Sequence, residues 1–96
     1  MTDNRGFDMI LAVVNSGDSE IVMQAAKDAG ASGGTVVSAK GNNSSSFNKE
    51  LIMILTTAAK RQAILEAICA KADLNTDGRG IAFSVPVDDV VGIVSV

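Results

Sequence analysis

Two stretches of this chain are apolar on successive residues, not on every second or every third to fourth one. Residues 7–15 read FDMILAVVN and residues 50–57 read ELIMILTT. Such short, unbroken runs bounded by turn-forming residues predict strands that are apolar on both faces. Neither run approaches the ~18–20 residues that a membrane-spanning helix needs, so no membrane insertion is expected.

The segments between these runs change period. Asn15-Ser16-Gly17-Asp18-Ser19 reads as a turn, and Ser16, Asp18 or Ser19 is expected to cap the helix behind it through a side-chain oxygen. Ile21, Ala25 and Ala29, with Val22 and Ala26, recur at helical spacing, and Gly30 marks the helix end. Thr35 to Ala39 is a β-prone run. Residues 41–48 (GNNSSSFN) are small and polar, cannot build a core, and are expected to form a mobile loop. Thr57 is expected to cap a second helix over residues 58–72, with Ile64, Leu65, Ile68 and Ala72 on one stripe. A glycine-bearing loop follows at residues 73–80 (DLNTDGRG). A strand over 81–85 is expected to stop at Pro86, which has no amide to donate. Asp88-Asp89 opens a short turn and residues 92–96 add a last extended piece.

The predicted order is β-α-β-β-α-β. Residues 1–6 are polar and read as a flexible N-terminus, and 7–96 as a single domain, since 96 residues cannot hold two cores and a linker. The order is that of the ferredoxin-like α+β fold with an antiparallel sheet. Right-handed crossovers place both helices on one sheet face. The other face is then bare, yet Met9, Leu11, Val13, Leu51, Met53 and Leu55 alternate onto whichever face their neighbours do not occupy. A bare apolar sheet face is a large sticky patch. Sibling copies are therefore expected to close it, which predicts an obligate homo-oligomer.

Composition removes several function classes. Eight basic residues against eleven acidic ones leave a net charge of −3, and the basic residues are scattered, so the positive footprint that phosphate backbones require is missing. Three aromatics offer few stacking platforms, and nucleic acid is not an expected partner. Histidine is absent and Cys69 is alone, which argues against imidazole chemistry, soft-metal sites and an intrachain disulfide. Cys69 sits among apolar helix residues and reads as a buried, inert thiol. No nucleophile stands with a base, so an enzyme is not expected. The N-terminus lacks the layout of a secretory signal, and the expected location is the cytoplasm.

Three glycine-bearing segments lie where ligands commonly bind this fold: residues 30–35, Lys40-Gly41, and Asp77-Gly78-Arg79-Gly80. Glycines let backbone amides approach an anion, and Lys40 or Arg79 would add charge-assisted bonds. The plainer reading is that Gly30 stops a helix and that Gly78 and Gly80 form turns.

Taken together, Gly30-Ala31-Ser32-Gly33-Gly34-Thr35-Val36 with Lys40-Gly41, and Gly78-Arg79-Gly80-Ile81-Ala82-Phe83 with Pro86-Val87-Asp88-Asp89-Val90-Val91, resemble the G-x-x-G-x-T-V…K-G and G-D-G-K-I-F…V-x-x-V segments of the PII nitrogen-regulatory proteins. The chain looks like a short, divergent branch of the kind found in bacteria and archaea. The resemblance implies a homotrimer, clefts between subunits that hold a small effector such as ATP, ADP or AMP (2-oxoglutarate accompanying Mg-ATP), and a T-loop that docks on a partner such as a membrane transporter or its regulator. By motif, Gly34, Thr35 and Leu55 would lie near a base or ribose, Gly41 at the T-loop root beside Lys40, and Gly78, Arg79 and Gly80 at the phosphates. Residues 41–48 would be a shortened T-loop. The family's lysine after G-D-G is matched by Ile81, and the two arginines of its last strand by Gly92 and Val94. Losing a charge-assisted contact costs roughly 1.5–3 kcal/mol, so these three exchanges bear directly on triphosphate affinity. Two readings stand beside this one: a CutA-like structural or metal-handling trimer without nucleotide binding, and an ACT-like amino-acid-binding module.

Overall fold

The first apolar run forms the centre of a sheet. In the computed structural model, which describes residues 6–42 and 48–92, strand β1 covers Phe7–Asn15. It is followed by α1 (Ser19–Asp28), β2 (Thr35–Lys40), β3 (Asn48–Thr57), α2 (Ala58–Lys71) and β4 (Gly80–Val87). The strands form one antiparallel sheet in the order β2-β3-β1-β4. This is the expected ferredoxin-like arrangement. Most of the expected N-terminal tail (residues 1–5), positions 43–47 of the loop, and positions 93–96 lie outside the described residues.

Burial alternates along the two central strands. Ile10, Ala12 and Val14 of β1 and Ile52 and Ile54 of β3 are fully enclosed, while Met9, Leu11, Val13, Leu51, Met53 and Leu55 are only half-buried. The enclosed set forms one core with Val22 and Ala26 of α1 and Ile64, Ile68 and Ala72 at the end of α2. Both helices therefore cover the same face, as right-handed crossovers demand. Full burial of each isoleucine contributes on the order of 1.5–3 kcal/mol. At one end of this layer, Asp8 and Thr56 face each other across the strands, both buried. Arg61 of α2 satisfies the Asp8 carboxylate at 2.9 Å.

The opposite face carries apolar side chains from every strand. Register places Phe83 opposite Leu11, Ile81 opposite Val13, Val85 opposite Met9, and Val37 opposite Leu51. Ile81, Phe83, Val85 and Val37 are all exposed.

Four local expectations are corrected. β4 runs through Pro86 to Val87, because β4 is an edge strand and an edge has one side on which no donor is needed. Asp18 and Thr57 occupy the helix-capping positions, but neither side chain bonds to its helix. The first amide of α2, at Ala58, instead donates to the Gly6 carbonyl at 3.2 Å, and α1 is capped from β3, as described below. Ile21 is 44% exposed, because it lies off the stripe that Val22, Ala25 and Ala26 bury. Cys69 is half-buried, on the flank of the α2 stripe, where full burial was expected. Gly30 does end α1: its amide donates to the Lys27 carbonyl and that of Ala31 to the Ala26 carbonyl, the paired bonds of a Schellman closure.

Candidate functional site

Three segments distant in sequence meet at one end of the sheet: the β1–α1 turn, the exit of the 41–47 connection into β3, and the loop between α2 and β4. Asn48, Lys49 and Glu50, the first residues of β3, each bond to the turn. The Asn48 carbonyl accepts from the Ser16 amide at 3.1 Å. Lys49 Nζ donates to Asn15 Oδ1 at 2.8 Å. Glu50 Oε1 accepts from the amides of Gly17 at 2.8 Å and Ser19 at 3.2 Å. These are unpaired donors at the start of α1, so a carboxylate some thirty residues away does the capping expected of Asp18 or its neighbours. The Gly17 amide, opposed by partial desolvation and supported by Ser19, holds the Glu50 carboxyl below the usual carboxylate range.

Asn15 carries the network further, donating through Nδ2 to the Gly78 carbonyl at 3.1 Å. The loop containing Gly78 leaves α2 through Asp73, a non-glycine residue at φ +57°, which lets the Leu74 amide reach back to the Cys69 carbonyl. Aspartate tolerates this conformation better than most residues, and its Oδ2 accepts a 2.8 Å bond from the Thr76 hydroxyl.

Between the loop and the sheet lies an open hollow of ≈ 650 Å³. Lys40 and Gly41 at the entrance of the 41–47 connection, Lys49 at its exit, and Thr76, Asp77 and Gly78 opposite all line it, above a floor that includes Val13, Leu74 and Ile81. Of the residues singled out from sequence, Lys40, Gly41, Gly78 and Gly80 come together here. Gly34, Thr35 and Leu55 do not: they line a second hollow of ≈ 440 Å³ with Met9 and Met53. Met9 and Val13, one in each hollow, are four residues apart on β1, about 13 Å at ~3.3 Å per residue. Arg79 lines neither. Its guanidinium lies 3.7 Å from Asp18, with Nε buried and unbonded. Asn15 and Lys49 carry no local motif, and strand register brings them to the site, whereas Asp77 opens the glycine-bearing segment 77–80 already named from the sequence.

Two of the glycines have a packing reason. A Cβ on Gly80, at φ +135°, would strike the Val13 carbonyl oxygen and approach Val14 Cα to 3.1 Å. One on Gly34 would meet the Met53 carbonyl at 2.8 Å and Ile54 Cγ1 at 2.9 Å. Close strand pairing fixes glycine there with or without a ligand. Among the described residues no cluster of three or more carboxylate or thiol side chains could hold a metal ion, and Asp88 and Asp89 are exposed at the end of β4.

Among solved structures the fold matches that of Arabidopsis thaliana PII bound to citrate, with TM-score 0.78 and 24% identity over 95% of this chain and 82% of that one. At that identity the likeness shows a shared fold. No curated protein sequence matches. The sequence profile described as "Nitrogen regulatory protein P-II" matches residues 7–95, nearly the whole chain. That match over nearly the whole chain, on a ferredoxin-like sheet, shows that this chain belongs to the P-II family.

Proposed function

We propose that this protein is a non-catalytic signalling regulator that senses a small ligand at clefts between the subunits of a homotrimer and passes the signal to a partner protein through residues 41–48. One observation carries this reading: both ends of the 41–47 connection, Lys40-Gly41 and Lys49, form walls of the same hollow as the 74–80 loop. A ligand seated there touches the root of the loop from both sides, so occupancy and loop geometry are coupled through direct contact. The matching family is one of nitrogen regulatory proteins, which supports a regulator over an enzyme. The structure with which the fold matches holds citrate, a small anion.

The bare apolar face supports the trimer. Within one subunit, the hollow holding Gly34, Thr35 and Leu55 and the hollow holding Gly78 and Gly80 are separate. Sheet faces packed between copies would bring the first hollow of one subunit against the second of its neighbour. A nucleotide, the effector class implied by the sequence motifs, would then rest its base near Thr35 and Leu55 of one subunit and its phosphate at Lys40 and Gly78 of the next. The partner is a protein, with a membrane transporter or its regulator the first to test, and the site of action is the cytoplasm.

Light scattering and calorimetry test this directly. The expected result is a particle of three times the 9.8 kDa chain mass that binds at least one of ATP, ADP, AMP or a cyclic dinucleotide. A stable folded monomer at low micromolar concentration refutes the trimer. A folded trimer that binds none of them refutes nucleotide sensing.

A further inference from the structure

The charge around the principal hollow restricts what it can hold. Two cations, Lys40 and Lys49, line it against one anion, Asp77. The Lys49 ammonium already gives one of its three donors to Asn15. Arg79, the one cation of the 74–80 segment, faces Asp18 and does not line the hollow. The hollow of a neighbouring copy that would face it, lined by Met9, Ser32, Thr35, Met53 and Leu55, offers no cation among the described residues, and the open sheet face around it carries Lys49 only at its edge. Lys27, Lys60, Arg61 and Lys71 stand on the helices, which cover the other face.

A phosphomonoester carries about −1.5 to −2 near neutral pH, and each further phosphoryl unit adds roughly one more. A triphosphate would enter with far more negative charge than these side chains can balance, and with Asp77 beside it. Placing unbalanced charge in a partly desolvated cleft is unfavourable. A ligand with one or two negative charges matches the two ammonium groups, and its body can rest on Val13, Leu74 and Ile81. Resting on the ligand-sensing reading above, we infer that this hollow takes a compact anion of one or two negative charges, held by Lys40 and Lys49, and that Asp77 selects against triphosphates.

Calorimetry on the full chain with AMP, ADP and ATP uses one base and a graded charge, and succinate supplies a base-free dianion. The expected order is AMP tightest and ATP weakest, or succinate alone where the base adds nothing. Lys40→Met should weaken the bound probe about tenfold or more. Asp77→Asn should improve ATP binding more than AMP binding, by about three- to tenfold. Both side chains are at the hollow's rim, so both variants keep the fold, which circular dichroism verifies. ATP binding as tight as or tighter than AMP binding, or an order that Asp77→Asn leaves untouched, overturns this inference while the ligand-sensing reading stands. A folded trimer that binds none of the four probes overturns this inference, and one that binds no cyclic dinucleotide either overturns the ligand-sensing reading as well.

Discussion

Glu50 links a helix start to a strand start, and its protonation state reports on that link. Its carboxylate accepts the Gly17 and Ser19 amides more strongly when ionised, and its pKa is lowered in the folded chain. A carboxyl with a depressed folded-state value adds stability above its unfolded pKa and loses it as pH falls through the folded one. The contribution should therefore be full at neutral pH and fade from about pH 4.5 downward. Glu50→Gln is expected to lower the melting temperature at pH 7 and to flatten the acid limb of the Tm-against-pH curve. An unchanged acid limb would show that the cap carries no weight. At Gly80 the constraint is steric. Both the left-handed φ and the contact with the Val13 carbonyl oppose any side chain, so Gly80→Ala should cost about 3 kcal/mol in a urea titration. Equal stability of the alanine variant would remove the packing reason for this glycine.

At the scale of elements, the β1–α1 turn is the junction through which the 41–47 connection and the 74–80 loop meet. Among the described residues, Asn15 alone bonds to both sides, to Lys49 and to Gly78. Asn15→Ala should cost about 1 kcal/mol in global stability. Its larger signature should be local: faster amide hydrogen exchange across residues 76–80, with α2 and β3 unchanged. Uniform acceleration across the chain would mean that the loop opens only by global unfolding. The elements themselves were legible because their signals are local. The doubled apolar runs marked β1 and β3, and the Ile64/Ile68/Ala72 spacing marked α2. What was not legible depended on placement. Pro86 reads as a strand stop unless β4 is known to be an edge, and no spacing rule pairs Glu50 with Gly17. Of the glycines that drew attention as ligand contacts, Gly34 and Gly80 each have a packing reason that the sequence did not reveal. Lys49 became visible as part of the hollow only through register, and Asp77, though in a segment named from the sequence, takes its place in the wall only once the 74–80 loop folds.

For the whole molecule, the decisive feature is a sheet with one face under helices and the other apolar and uncovered within the chain. Phe83 is 42% exposed and stands across from Leu11 at the middle of that face. In an isolated chain, Phe83→Glu would move a charge into water at little cost, since the site is already partly solvated. In a trimer whose sheets pack together, the same carboxylate would be buried without a partner, a penalty of several kcal/mol for each subunit. The two cases therefore separate cleanly. The native chain is expected to elute at three times 9.8 kDa and to melt at temperatures that rise with protein concentration, as coupled folding and assembly require. Phe83→Glu is expected to shift the mass to that of one chain and to lower the Tm, because the rest of the apolar face is then left in water. The helix surfaces, which cover the other face, should tolerate charge changes without dissociation. A Phe83→Glu chain that stays trimeric would place the contact elsewhere. It would also remove the geometric basis for a cleft that joins Thr35 of one subunit to Gly78 of another.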